Sequence, residues 1–150
     1  MISSPIKGFC KLNIGFFNGC PDNTTNVPIE LLNAFINYHK IGYGIAAIDE
    51  REIGYSLILI DYDNEILLRY VGSSEGIIAF KDLKIYELEE QLIKDIEENI
   101  DGWCYFMEPQ TKRELETQKK KILTLLEKLK KLREKYERRY NINNIYSNGE

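Results

Sequence analysis

The sequence predicts an α+β fold: a small, mostly antiparallel sheet with one packed helix, followed by an acidic helix and a long basic C-terminal helix. Three observations lead there. Apolar residues alternate with a period of two in several short runs before residue 82. After Asp82 the period lengthens to about 3.6 residues. With 150 residues, 43% hydrophobic and 29% charged, the chain is long and apolar enough to bury one core. We therefore divide it into a sheet region (1–81), a helical pair or oligomerisation region (82–140) and a polar tail (141–150).

Lys7 to Phe17 alternate, with Cys10, Leu12, Ile14 and Phe16 on one side of a strand. Asn18 to Val27, dense in Asn, Asp, Thr, Gly and Pro, reads as a loop. Asn26 is placed to cap a helix, and Pro28 falls in its first turn. Ile29, Leu32, Phe35 and Ile36 form that helix's apolar stripe, and Gly42 stops it. A meander follows, over Tyr43–Ile48, Ile53–Ile60 and Glu65–Val71, with polar turns between the runs. Gly72-Ser73-Ser74-Glu75-Gly76 is a further turn, and Gly76–Phe80 a last strand.

Ile85, Leu88, Leu92, Ile96 and Ile100 then share one helical face, with Ile93 beside them. Asp101-Gly102 is expected to end that helix, and Trp103 to Met107 to pack between elements. Thr111 and Glu114 have the spacing of a capping box. The helix they introduce is expected to reach Tyr140.

Taking Leu115 as heptad position a puts Ile122, Leu129 and Tyr136 at a as well, and Gln118, Leu125, Leu132 and Arg139 at d. The expected packing residues are therefore Ile85, Leu88, Leu92 and Ile96 on the acidic helix. On the basic helix they are Leu115, Ile122, Leu125, Leu129, Leu132 and Tyr136. A parallel coiled-coil self-dimer is disfavoured, because Lys128 would approach Arg133 of the other chain. An antiparallel pairing is easier to satisfy. Residues 82–101 carry eight acids against two lysines, a net of −6. Residues 111–140 carry 12 Lys/Arg against five Glu, a net of +7. The modest total of −4 thus conceals a polarised chain, and a homo-oligomer is expected.

Catalytic chemistry finds little support. His39 is the single histidine and sits near a helix end, where a structural or surface role is the ordinary one. Cys10, Cys20 and Cys104 have neither CxxC spacing nor an even count, which suits a reducing compartment and supplies no metal motif. Asp61, Asp63 and Glu65 lack the rest of a calcium loop. A hairpin turn with local side-chain-to-backbone bonds is the simpler reading. Asp49, Glu50 and Glu52 can join Asp61 if their strands are neighbours, and such a carboxylate cluster would hold a metal or act as an acid/base pair, which gives an enzyme reading. No catalytic residue, metal ligand or cofactor is assigned.

Arg69 with the Gly72, Ser73, Ser74 and Gly76 turn suggests a small-ligand module that captures a nucleotide or other anion. A plain strand-strand turn explains the same residues. The basic helix is read first as a solvated face. Nucleic acid is disfavoured because no HTH, zinc-finger or RRM pattern accompanies the lysines. Membrane contact is disfavoured too, since neither an 18-residue apolar run nor an export signal is present.

Tyr38, Tyr43, Tyr55, Tyr62 and Tyr70, with Trp103, Tyr105 and Phe106, suggest recognition of a protein surface, but the same residues fill ordinary cores and the sequence does not separate the two. The expectation is a cytoplasmic, non-catalytic regulatory or inhibitory protein with an unknown protein partner. The richness in Ile, Lys, Asn and Tyr also fits a low-GC bacterium or one of its viruses, where an anti-defence factor would have this size.

Overall fold

The computed structural model describes the backbone of residues 1–147 and the side chains of residues 1–139. In chain order these form β1 (Ile2–Ile6), β2 (Phe9–Ile14), β3 (Phe17–Gly19), α1 (Val27–Ile41), β4 (Tyr43–Glu50), β5 (Ile53–Ile60), β6 (Glu65–Val71), β7 (Glu75–Ala79), α2 (Ile85–Glu97), α3 (Ile100–Phe106) and α4 (Lys112–Ser147). The fold is α+β, as the two periodicities predict. Strands β1-β2-β3 form one antiparallel sheet, and β4-β5-β6-β7 a larger antiparallel meander.

The meander supplies the floor of the core. Ala46, Ile48, Leu57, Leu59, Ile66 and Leu68 point inward and are buried. Helix α1 lies across them through Val27, Leu31, Leu32 and Phe35. Its approach to β4 is so close that a Cβ on Gly44 would stand 1.8 Å from the Ala34 carbonyl oxygen. Glycine is required there by space. At Gly42 it is favoured by conformation: φ is 85°, and its N–H closes the helix on the Tyr38 carbonyl.

The smaller sheet buries Ile2, Cys10, Leu12 and Ile14, and β1 packs against α3, whose Trp103 and Phe106 are fully enclosed. The Trp103 indole N–H donates to the Asp95 carbonyl at 3.1 Å.

Several local expectations change. Asn26 makes no side-chain cap, and its Oδ1 has no hydrogen-bond partner among the described residues; only its carbonyl accepts, from the Glu30 N–H at 2.9 Å. The chain does not stop at Asp101-Gly102. Helix α2 ends at Glu97, and Asn99 restarts the chain as α3 by accepting the Gly102 N–H at 3.0 Å. A Cβ at Gly102 would displace the Asn99 carboxamide, so glycine lets this cap close. The Thr111–Glu114 capping box forms in part. Thr111 accepts from the Glu114 N–H, whereas the Glu114 carboxylate reaches Gln110 rather than Thr111. Helix α4 continues past residue 140 to Ser147; of the expected tail, residues 148–150 and the side chains of 141–147 lie outside the described residues.

Helix α4 packs within its own chain, chiefly along α1, with α3 beneath its N-terminal half and α2 tied to its flank. Lys119 pairs with Asp101, Lys130 with Glu97, Arg133 with Glu89, and Glu137 with Tyr86. The partner numbers fall as those of α4 rise, so α2 and α4 run antiparallel. Ile85, Leu92, Ile96, Ile122 and Leu129 are fully buried and Leu88 nearly so, Leu115, Leu125 and Leu132 are half-buried, and Tyr136 is exposed. The buried seam of α4 is Ile122, Leu126, Leu129 and Arg133. That places the seam at heptad positions a and e rather than a and d.

Candidate functional site

Three places concentrate chemistry: the junction of α1, α2 and α4, a groove between the two sheets, and the outer face of the meander.

At the helix junction Glu89 is 1% exposed and Arg133 8%. Arg133 Nη1 donates to Glu89 Oε1 at 2.9 Å and to the Tyr86 carbonyl at 2.8 Å. The other Glu89 oxygen lies 2.6 Å from His39 Nε2. The Arg133 guanidinium also stacks 3.5 Å above the Tyr86 ring. Both carboxylate oxygens are thus engaged by groups from two other helices, and the assembly clamps α4 to the body. His39 thus meets a buried carboxylate of α2 and is not free at the end of α1. This junction has the polar partners of a site but none of the described grooves opens on it.

The groove, of about 750 Å³, is lined by Phe9, Cys20, Glu50, Arg51, Glu52, Ile53 and Ser73. Glu50 Oε2 accepts the Tyr55 hydroxyl at 2.5 Å and the Cys20 N–H at 3.0 Å. Burial and this carboxylate together raise the Tyr55 hydroxyl above the usual tyrosine range. Two glutamates against one arginine leave the groove poor for an anion. Of the anion-binding candidates, Ser73 alone reaches it. Arg69 projects from the far side of the sheet. Gly72 donates to the Ser74 carbonyl at 3.0 Å and closes the β6–β7 turn. Gly76 lies under the Tyr70 ring, where a Cβ would meet the hydroxyl at 2.5 Å. Those four turn residues act as strand-turn chemistry requires, and the structure does not bring them together around a pocket with Arg69.

The acidic residues do not assemble either. Asp49, Glu50 and Glu52 surround the β4–β5 turn, while Asp61 lies at the opposite end of the same hairpin, its N–H bonded to Gly42. Eight-residue strands separate the two ends by roughly 25 Å. Asp61 instead accepts the Tyr38 hydroxyl at 3.1 Å. Asn64 serves α2: its Oδ1 accepts the Ile85 N–H and its Nδ2 donates to the Leu83 carbonyl. No group of three or more His, Cys, Asp or Glu among the described residues can hold a metal ion.

The outer face of the meander differs from both. Side chains alternate across a strand, so the residues between the core positions point away from the core. The strand registers arrange them in rows. One row is wholly apolar, running Ile45, Ile58, Leu67, Ala79 from β4 to β7. On one side of it lie Tyr43, Ile60 and Glu65, and on the other Ala47, Ser56, Arg69 and Ile77. A last row of Asp49, Gly54, Val71 and Glu75 closes the end near the turns. Tyr43 and Ile45 are each 52% exposed and Ile77 64%. Contiguous exposure of this kind is the ordinary mark of an interaction surface. The sequence pattern puts most of these residues in strands but Asp49 and Glu75 in turns, and it singles out Tyr43, Arg69 and the acids Asp49 and Glu65 without joining them into one face. Ile58-Leu59-Ile60 is apolar on both faces, so its pattern does not say which face meets the core.

No helix among the described residues is long and apolar enough to cross a membrane. Comparison of the chain with protein-family models, curated proteins and solved structures gives no match.

Proposed function

We propose that the chain is a non-catalytic protein-binding protein of regulatory or inhibitory type, docking through the outer face of its four-stranded sheet. The observation that carries this reading is the apolar row Ile45–Ile58–Leu67–Ala79, exposed at Ile45 and Ala79, half-buried at Ile58 and Leu67, and flanked by the exposed Tyr43 and Ile77. A strand apolar on both faces, as β5 is through Leu57-Ile58-Leu59-Ile60, has the composition of a strand covered on both sides. Here one cover is α1, and a protein partner supplies the other.

The small-anion reading has weaker support, because Arg69 stands apart from the groove and the groove is net acidic. The carboxylate-based enzyme reading lacks an assembled cluster. Buried thiols at Cys10 and Cys104, with no disulfide among the described residues, suit a cytoplasmic setting.

Site-specific photocrosslinking in expressing cells tests the docking face. A benzophenone side chain at Leu67 is expected to yield discrete protein adducts, and the same group at Lys131, an exposed position on α4, is not. Adducts at Lys131 alone, or at neither position, would overturn the assignment.

A further inference from the structure

We propose that the occupant of the outer sheet face is a second copy of this chain. The two copies pack sheet against sheet about a two-fold axis that crosses the strands at the row Ile45–Ile58–Leu67–Ala79. This inference rests on the docking face just described and names its partner.

The choice of a second copy comes from how charge and size are laid out on the face. Arg69 and Glu65 project from the same side of β6, four residues apart. At about 3.4 Å per residue they are roughly 13 Å from one another, too far to pair within the chain. Neither has an ion-pair partner among the described residues. Leu67 lies midway between them.

In an isologous interface, residue i meets j while j meets i. A two-fold axis through the Leu67 row therefore sets each Arg69 opposite the other copy's Glu65, twice. The row itself meets its own image, apolar on apolar. The same operation places Tyr43 over Ala47 of the other copy and Ile60 over Ser56, a large side chain against a small one each time. Asp49 and Glu75 fall beyond the end of the overlap and stay in water at the rim. Moving the axis one row toward the turns would face Arg69 with itself, with no acid opposed to it. An axis parallel to the strands leaves Arg69 no acid either, because its own row contains none.

The facing area is that of a small interface. Three facing rows, about 20 Å along the strands, across four strands about 4.8 Å apart give roughly 400 Å² of flat face per copy. Doubled, and increased by side-chain relief, this comes to roughly the 1,000 Å² total at the low end of specific interfaces. Two sheets packed in this way keep their strands aligned within about 30° at a separation of about 10 Å. The seam of α4 is buried inside its own chain, so the predicted oligomer forms through the sheet and not through the coiled-coil stripe.

Sedimentation equilibrium on the full chain, from 1 to about 200 µM, tests this with four variants. The wild type is expected to reach twice the 17.6 kDa chain mass. Arg69→Glu and Glu65→Arg are each expected to weaken dimerisation at least tenfold. The combined charge reversal, Arg69→Glu with Glu65→Arg, is expected to return it to within threefold of wild type. Ile58→Asp is expected to abolish the dimer. A monomer throughout the range, or a dimer indifferent to both single reversals, would overturn the second-copy assignment. Photocrosslinking at Leu67 separates that failure from failure of the docking reading. A monomer that still gives a larger, heterologous adduct at Leu67 overturns the second copy alone. A monomer with no adduct there overturns both.

Discussion

Glu89 shows what a single buried charge does in this fold. It is almost wholly removed from water, yet Arg133 and His39 approach its two oxygens at 2.9 and 2.6 Å, so neither lone-pair set is wasted. Removing the carboxylate takes away the nearest acid and leaves the guanidinium with Glu90 and Glu137 at 3.8 Å, and breaking a buried pair costs about 3–5 kcal/mol. Glu89→Ala is expected to lose that much stability in urea unfolding. Replacing both partners with apolar residues, Glu89→Leu with Arg133→Met, is expected to recover most of the loss. A double variant as unstable as the single one would show that the pair's value is not charge compensation.

The thiols divide by the same physics. Burial pushes Cys10 up to about 12, with the neighbouring Cys20 and Glu50 adding to the effect, and burial raises Cys104 as well. A raised pKa keeps the thiol protonated at neutral pH and therefore a poor nucleophile. Iodoacetamide at pH 7.5 is expected to modify Cys20, which is exposed, and to reach Cys10 and Cys104 only after unfolding. Peptide mass mapping of the labelled native protein reads the outcome.

Among the elements, α1 is the one fitted most tightly to its neighbours. With Gly44 pressed against the Ala34 carbonyl, even one methyl group forces the helix off the sheet. Gly44→Ala is expected to destabilise the chain by about 3 kcal/mol or more, at the upper end of overpacking costs. Thermal or urea unfolding of that single variant is sufficient.

The elements also show where the sequence was legible. β5 and β6 end at the residues expected of them because alternation and polar turns coincide at their boundaries. β1 was missed: Ser3, Ser4 and Pro5 hide any alternation, and its pairing with β2 shifts register between Ser3 and Ile6. Trp103–Met107 reads from sequence as a packed aromatic piece because Gly102 resembles a helix stop, whereas its lack of a side chain serves the Asn99 cap of α3. The α4 seam moved for a similar reason. A count of apolar residues passes over Arg133, and the Glu89 that admits it to the interior lies 44 residues away. The outer face was illegible for the opposite reason, an excess of apolar residues with nothing to separate inside from outside.

For the whole molecule, these pieces give a sheet covered on one side. α1 lies on the inner face, α4 and its ion pairs lie behind α1, and on the outer face, among the described residues, Ile45 and Ile77 are exposed and Ile58 is half-buried between its neighbouring strands. Because those side chains take no part in the core, their replacement should leave the fold intact. Ile45→Asp is expected to cost the monomer about 1 kcal/mol, the difference in strand preference between Ile and Asp, and not the roughly 2–5 kcal/mol of a core truncation. Its association is expected to fall sharply. A large loss of stability in the monomer would mean that the face belongs to the core after all.

The most direct test of the central claim follows the isoleucine methyl groups by NMR, with a soluble paramagnetic chelate, as the protein concentration is raised. Ile45, Ile58 and Ile77 report on the face, and Ile6, 65% exposed on β1, is the internal control. The methyls of Ile45 and Ile77 are expected to be broadened strongly by the chelate in dilute protein, and that of half-buried Ile58 less so; all three are expected to become protected as the chains associate, while Ile6 is broadened throughout. Methyls of Ile45 and Ile77 that stay as accessible as Ile6 at every concentration would contradict association through this face.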